Sequence, residues 1–198
     1  MRNSYFVERI AAYLIDIFIV TMIASLIAIP FTNTKNYEKL SDEASKITEN
    51  YQKGNIDTKT YMNQYLDINY DISKASGVST ILSIIVYVLY FIVFQFYNNG
   101  QTLGKKFMKI KIVSMGNDLT MDNMLFRSLF NNSILSNILV SVFILIGKNA
   151  YIYGFSIVTF LQFCYVMICA LMISFRKDSR SLSDFIGNTK VVSLRSDK

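Results

Sequence analysis

Four stretches of this 198-residue chain are apolar over bilayer-spanning lengths, at about residues 6–31, 78–97, 128–147 and 151–175. Twenty helical residues rise ~30 Å, the thickness of a bilayer's hydrocarbon. In that medium every backbone amide must be paired within the protein, so only helices and closed barrels span it. The second stretch, rich in Ile, Val, Tyr and Phe, is strand-like by propensity, and its length decides for helix. The third is the weakest, with Asn131, Asn132 and Asn137 inside it. Only Lys148-Asn149-Ala150 separates it from the fourth, which predicts a tight helical hairpin. With 52% apolar and 17% charged residues, the chain reads as an all-α membrane protein with four transmembrane helices, a single domain over residues 1–198. The first stretch is too long for a signal-peptide core and carries an acid in its middle, so it reads as a retained span.

The basic residues set an expected orientation. Arg2, Arg9, Lys105, Lys106, Lys109, Lys111, Arg127, Arg176, Lys177, Arg180, Lys190, Arg195 and Lys198 fall on the side of the termini, thirteen of the twenty. The loop at 32–75 is nearly neutral. Both termini, the 98–127 loop and the 176–198 tail are therefore expected in the cytoplasm, with 32–75 outside. In that outer loop Tyr37, Leu40, Ala44, Ile47 and Tyr51 recur at helical spacing, as do Tyr61, Tyr65, Ile68 and Ile72, with Gly54-Asn55 between. The pattern predicts an extracellular helical hairpin, either a plain cap or a surface for a partner.

The inner loop opens with Thr102-Leu-Gly-Lys-Lys-Phe-Met108, a basic amphipathic segment suited to anionic lipid headgroups. Lys109-Ile-Lys-Ile-Val-Ser114 alternates like a strand, Gly116-Asn-Asp118 reads as a turn, and Thr120-Met-Asp-Asn123 reads as a capped helix start. Thr189-Lys-Val-Val-Ser-Leu194 is a second strand candidate. A lone strand leaves its backbone groups unpaired, so these two are expected to pair as a small cytoplasmic two-stranded element.

Asp16 sits near the middle of the first span, where a carboxylate costs ~2.5–3.5 kcal/mol on insertion scales. Arg9 lies seven residues earlier, on nearly the same helical face and ~10.5 Å away along the axis. Asp16 should face the bundle interior and pair with Arg9 or with a base of the cytoplasmic loop. The alternatives for Arg9 and Asp16 are a snorkelling arginine and a purely structural buried hydrogen bond. There is no histidine, which removes the usual metal ligand and neutral-pH proton carrier. Cys164 and Cys169 lie on different faces of one helix and read as packing residues. No catalytic set, phosphate loop or cofactor motif is visible, so no enzymatic activity, cofactor or metal is expected. The net charge of +6 is better matched to cytoplasmic loops and anionic lipid than to nucleic acid.

Four motifs then agree in order and placement: Glu8-Arg-Ile-Ala-Ala-Tyr-Leu-Ile-Asp16, Asn98-Asn-Gly-Gln-Thr-Leu-Gly-Lys-Lys-Phe-Met108 with the strand after it, Arg127 before the third span, and Ser181-Leu-Ser-Asp-Phe-Ile-Gly-Asn-Thr189 near the end. Together they resemble the RDD family of bacterial membrane proteins. The resemblance implies that Arg9, Asp16 and Asp184 are the family's arginine and two aspartates, that Gly104, Lys105 and Lys106 match its inner-loop positions, and that Thr189 is its closing threonine. Ser183 stands where many relatives carry a bulkier or ionisable residue, often histidine. A multi-pass protein of the bacterial plasma membrane is implied, and so is transport, with cation/proton antiport associated with some members.

Two functions compete. In a transporter, Asp16 would bind a cation or proton with Arg9 as an internal competitor, completed from Tyr13, Thr21, Gln95, Asn131, Asn132, Asn137, Thr159 or Gln162, and the working carrier would be a homodimer. In a non-transporting accessory or immunity-type protein that binds a membrane partner, Arg9, Asp16 and Asp184 would tie the first helix to the cytoplasmic segments. Asp184 is expected to cap a turn or to receive Arg127 or Arg180.

Overall fold

The computed structural model describes residues 6–31, 34–116 and 118–195. Arg2 and Lys198 of the basic set, Thr32 at the start of the outer loop and Asn117 of the 116–118 turn lie outside the described residues. The protein is mostly helical, with a small two-stranded sheet.

Helix α1, Phe6–Ala28, ends in a 3-10 turn at Ile29–Phe31, where Pro30 cannot continue the helix. Its buried residues are Glu8, Ala12, Asp16, Val20, Ala24 and Ala28, one every four residues. Such a row forms a ridge slanted across the helix axis. The three alanines let the neighbouring backbones come close. α2, Thr34–Gln52, and α3, Thr58–Ala75, form the hairpin over 32–75, and the Asp57 carboxylate accepts from the Thr60 amide at the start of α3. The hairpin docks on the start of the last span: Ser73 and Tyr151 hydroxyls meet at 2.9 Å, and Lys148 lies 2.6 Å from Asp67.

The second span is one run with a defect in its ladder. α4, Gly77–Val88, widens into a π-helical stretch at Leu89–Phe94 before the closing turn α5, Gln95–Tyr97. The wide stretch buries three consecutive side chains, Tyr90, Phe91 and Ile92. α6, Leu103–Phe107, follows, capped by Thr102.

The third span departs from expectation. Instead of one helix over 128–147, α7, Met121–Asn131, and α8, Ile134–Ile146, meet at a bend of 62°. Ser133 holds a left-handed conformation at the break, φ 56°. Thirteen residues of α8 rise about 20 Å, short of a full crossing. Polar Asn131, Asn132 and Ser133 let the chain leave the helix there without stranding apolar surface. Among the described residues, three helices are long and apolar enough to cross a membrane, or four when the bent pair counts as one span. α9, Lys148–Phe175, begins directly after Gly147, whose φ of 140° suits glycine alone; the connection is thus tighter than the three-residue link expected.

The tail forms α10, Leu182–Ile186, and strand β2, Thr189–Ser193. β2 pairs antiparallel with β1, Ile110–Ser114, with Ile112 opposite Val191. The expected pairing of 109–114 with 189–194 is therefore present, and the Leu194 amide extends it to the Lys109 carbonyl at 2.8 Å. One apolar cluster, Ala12, Ile92, Ile110, Ile112, Met124, Ile134 and Val191, joins the sheet to the spans. The sheet, α6, α10 and the start of α1 thus share one end of the bundle, and the α2–α3 hairpin lies at the other.

Candidate functional site

Two fully buried carboxylates organise the sheet end. Asp16 has no exposed surface. The π-helical turn delivers the Tyr90 hydroxyl, which donates to Asp16 Oδ1 at 2.7 Å. The first turn of α6 supplies the rest. The Gly104 amide donates to Oδ1 at 2.7 Å, the Thr102 hydroxyl to Oδ2 at 2.5 Å, and Lys105 Nζ stands 3.7 Å from Oδ2. A free amide at a helix start is a natural anion donor. Gly104 is required there: a methyl group would overlap the Ala12 carbonyl oxygen and the Asp16 carboxylate.

Asp184 is also fully buried. Its Oδ2 accepts from Arg9 Nη1 at 2.8 Å, and from the amide and hydroxyl of Ser181 at 2.8 and 3.0 Å. Oδ1 accepts from Arg127 Nη1, which also donates to the Thr189 hydroxyl at 3.2 Å. Ser181 and Asp184 form a reciprocal capping box at the start of α10. Burial alone would raise the Asp184 pKa, but Arg127, Arg9 and the Ser181 amide outweigh it and hold the carboxyl down at about 2. For Lys105 burial is the larger effect: desolvation, only partly offset by Asp16, pushes its amine down to about 8.

The predicted residues thus gather at one end of the bundle, around two carboxylates. Arg9 serves Asp184 rather than Asp16, because the axial offset of ~10.5 Å exceeds its reach and α6 already occupies the Asp16 carboxylate. Asp16 takes its cation from the inner loop, through Lys105. Arg180, a candidate partner of the Asp184 carboxylate, instead donates to the carbonyls of Thr189 and Asp184 at 3.1 and 3.3 Å and lies 4.0 Å over the Phe185 ring. Lys105 is drawn inward, so the exposed part of its segment is left to Lys106, Leu103 and Phe107. Ser183 is fully buried, with its hydroxyl 2.8 Å from that of Ser181.

The polar residues proposed to complete a cation site are dispersed. Thr21 bonds its own helix, Gln95 reaches the Gly100 carbonyl at 3.4 Å, Gln162 accepts from Ser136 at 2.8 Å, and Asn131 accepts from Ser183 at 3.3 Å. None of the eight is a hydrogen-bond partner of Asp16 among the described residues. Sequence reasoning missed Tyr90, Ser181 and the cap role of Thr102. Thr102 and Ser181 carried a signal, each a hydroxyl residue just before a short helix. Tyr90, one aromatic in an apolar run, carried none.

The model of the RDD family matches residues 4–188, nearly the whole chain. That range takes in Arg9, Asp16, Gly104, Lys105, Arg127, Arg180 and Asp184 and stops one residue short of Thr189. Among curated proteins and among solved structures nothing matches. The chain belongs to the RDD family and is a multi-pass membrane protein.

Proposed function

We propose that this protein is a non-transporting, non-enzymatic module of the plasma membrane. Its termini, sheet and both carboxylate centres face the cytoplasm, and its Arg9, Asp16 and Asp184 set is a double clasp rather than an ion path. One observation carries this reading: both carboxylates are already engaged by donors and cations of the chain itself. A carboxylate offers about four lone-pair sites. Asp16 receives three hydrogen bonds and faces an ammonium; Asp184 receives two guanidinium groups, an amide and a hydroxyl. An entering cation would need oxygen ligands that are already engaged. The clasps fasten instead. Asp16 ties α1 to the π-helical turn and α6, and Asp184 ties α1 and α7 to the tail.

The orientation is supported by the eleven described basic residues of the sheet end and its flanks. A partner role is supported by the hairpin at the opposite end, where Tyr51 and Tyr61 stack at 4.4 Å and Tyr61 and Tyr65 at 5.5 Å, with Tyr51 and Tyr65 exposed. Replacing Asp16 by Asn tests the clasp: the yield of folded, monodisperse protein should fall severalfold. Normal folding with loss of an ion flux would reject it.

A second reading, cation/proton exchange, is favoured by Lys105. An amine held near pKa 8 beside a buried carboxylate could shed its proton near neutral pH.

A further inference from the structure

Arg9, Lys105 and Arg127 do more than serve the two aspartates. All three line a cavity of about 220 Å³ between the sheet ends of α1 and α9, and among the described residues no Asp or Glu lines it. Asp184 stands behind the two arginines and Asp16 behind Lys105, so the cavity surface is cationic although the aspartates are close. Both contacts of Arg127 run through Nη1, leaving Nε and Nη2 without a hydrogen bond among the described residues. The Tyr165 hydroxyl is buried in the same wall, beside Ser183 and Cys169, without a well-formed hydrogen bond among the described residues. Donors without acceptors at a cavity surface suit an anion.

The remaining wall is apolar. Ile10 on α1 and Val166, Ala170 and Ile173 on α9 flank the cations, and Ile10 and Val166 are 41% and 52% exposed on the outside of the bundle. The cavity therefore joins a cationic floor to a lipid-facing groove. A free inorganic anion would use the floor and leave the groove empty. A zwitterionic headgroup would bring its own cation to a floor that already holds three.

We infer that this cavity seats the phosphate of an anionic phospholipid, with the first part of an acyl chain lying between α1 and α9. The volume suits a headgroup phosphate and the start of a chain rather than a whole lipid. The inference rests on the chain's being bilayer-embedded and not on which side the clasps face. It also stands whether or not the protein transports ions, so its failure and that of the clasp reading are separable.

The test is lipid-dependent stability of the full chain in a mild non-ionic detergent. Added phosphatidylglycerol should raise the melting temperature and be retained in native mass spectra about fivefold over phosphatidylcholine, on the order of one net charge near the membrane surface. Inorganic phosphate alone should give no shift. Ala170→Phe fills the groove without touching either clasp and should abolish the phosphatidylglycerol effect while keeping the helical circular dichroism; Val166→Trp, on the same wall, is the second variant. Equal retention of the two lipids overturns the inference, as does an unchanged lipid effect in a folded Ala170→Phe or Val166→Trp protein. A shift produced by inorganic phosphate overturns the lipid assignment in favour of a free anion. Should neither variant fold, the wild-type comparison of the two lipids decides.

Discussion

Replacing Asp184 by Asn isolates the charge of the second clasp. Asparagine keeps an oxygen to accept from the Ser181 amide, so the cap of α10 is largely retained. What disappears is the negative charge facing Arg9 and Arg127. Its worth can be bracketed twice. Holding the carboxyl at about 2 against an ordinary value of 3.8 corresponds to about 2–3 kcal/mol, each tenfold change in proton affinity being worth ~1.36 kcal/mol. Removing one member of a buried ion pair costs ~3–5 kcal/mol, since the other members stay buried and uncompensated. The expected loss is therefore ~2–5 kcal/mol, roughly 5–15 °C in melting temperature for a chain of this size. Tryptophan is absent, but Cys164 is half-buried and Cys169 buried, so a thiol-reactive fluorophore reads unfolding directly. Asp178→Asn is the control: its partner Arg176 is at the surface, where such a pair is worth ~0–1 kcal/mol. Because the Asp184 pKa is depressed on folding, its stabilisation is present in full above the unfolded value near 3.8 and is lost as pH falls towards 2. Wild type and variant should thus converge in acid. A variant melting within ~1–2 °C of wild type at neutral pH, or a control just as damaging, would refute the buried-clasp reasoning.

Lys105 should give the opposite pH signature at the alkaline end. Its folded value is pulled down to about 8 from 10.5, so the unfolded chain binds more protons between these values and stability should climb with pH there; Lys105→Gln should flatten that rise in a melting series. Gly104→Ala should be severe, because its methyl must push α6 off α1, and the yield of folded protein measures it; a yield equal to wild type would contradict the close approach. In a cysteine-free background, an impermeant thiol reagent on intact cells should label position 55 and not position 115; the reverse pattern would invert the proposed orientation.

The legible part of this fold is the part governed by length and period. Apolar runs placed the spans, three-and-four spacing placed the α2–α3 hairpin, and alternation placed β1 opposite β2. Polar residues in the third run were visible, yet whether Asn131-Asn132-Ser133 weakens a helix or bends it depends on what packs against the break. The site was legible as a set of residues and not as a wiring diagram. Seven residues put Arg9 and Asp16 on one face, but an i, i+4 ridge from Glu8 to Ala28 is what packs, and reach sent Arg9 to the tail. Asp16's donors lie 74 to 89 positions away in sequence, on a π-helical turn that no local pattern announces and on a five-residue helix whose Gly104 amide, not its lysines alone, carries the anion.

On the proposed reading, the buried aspartates fasten the chain and do not carry ions. Gradient-driven flux tests it most directly: purified protein in liposomes, an imposed Na⁺ or pH gradient, and an internal pH dye. The clasp account predicts traces that match empty liposomes. A Na⁺-dependent proton flux that disappears in a folded Asp16→Asn variant would contradict it.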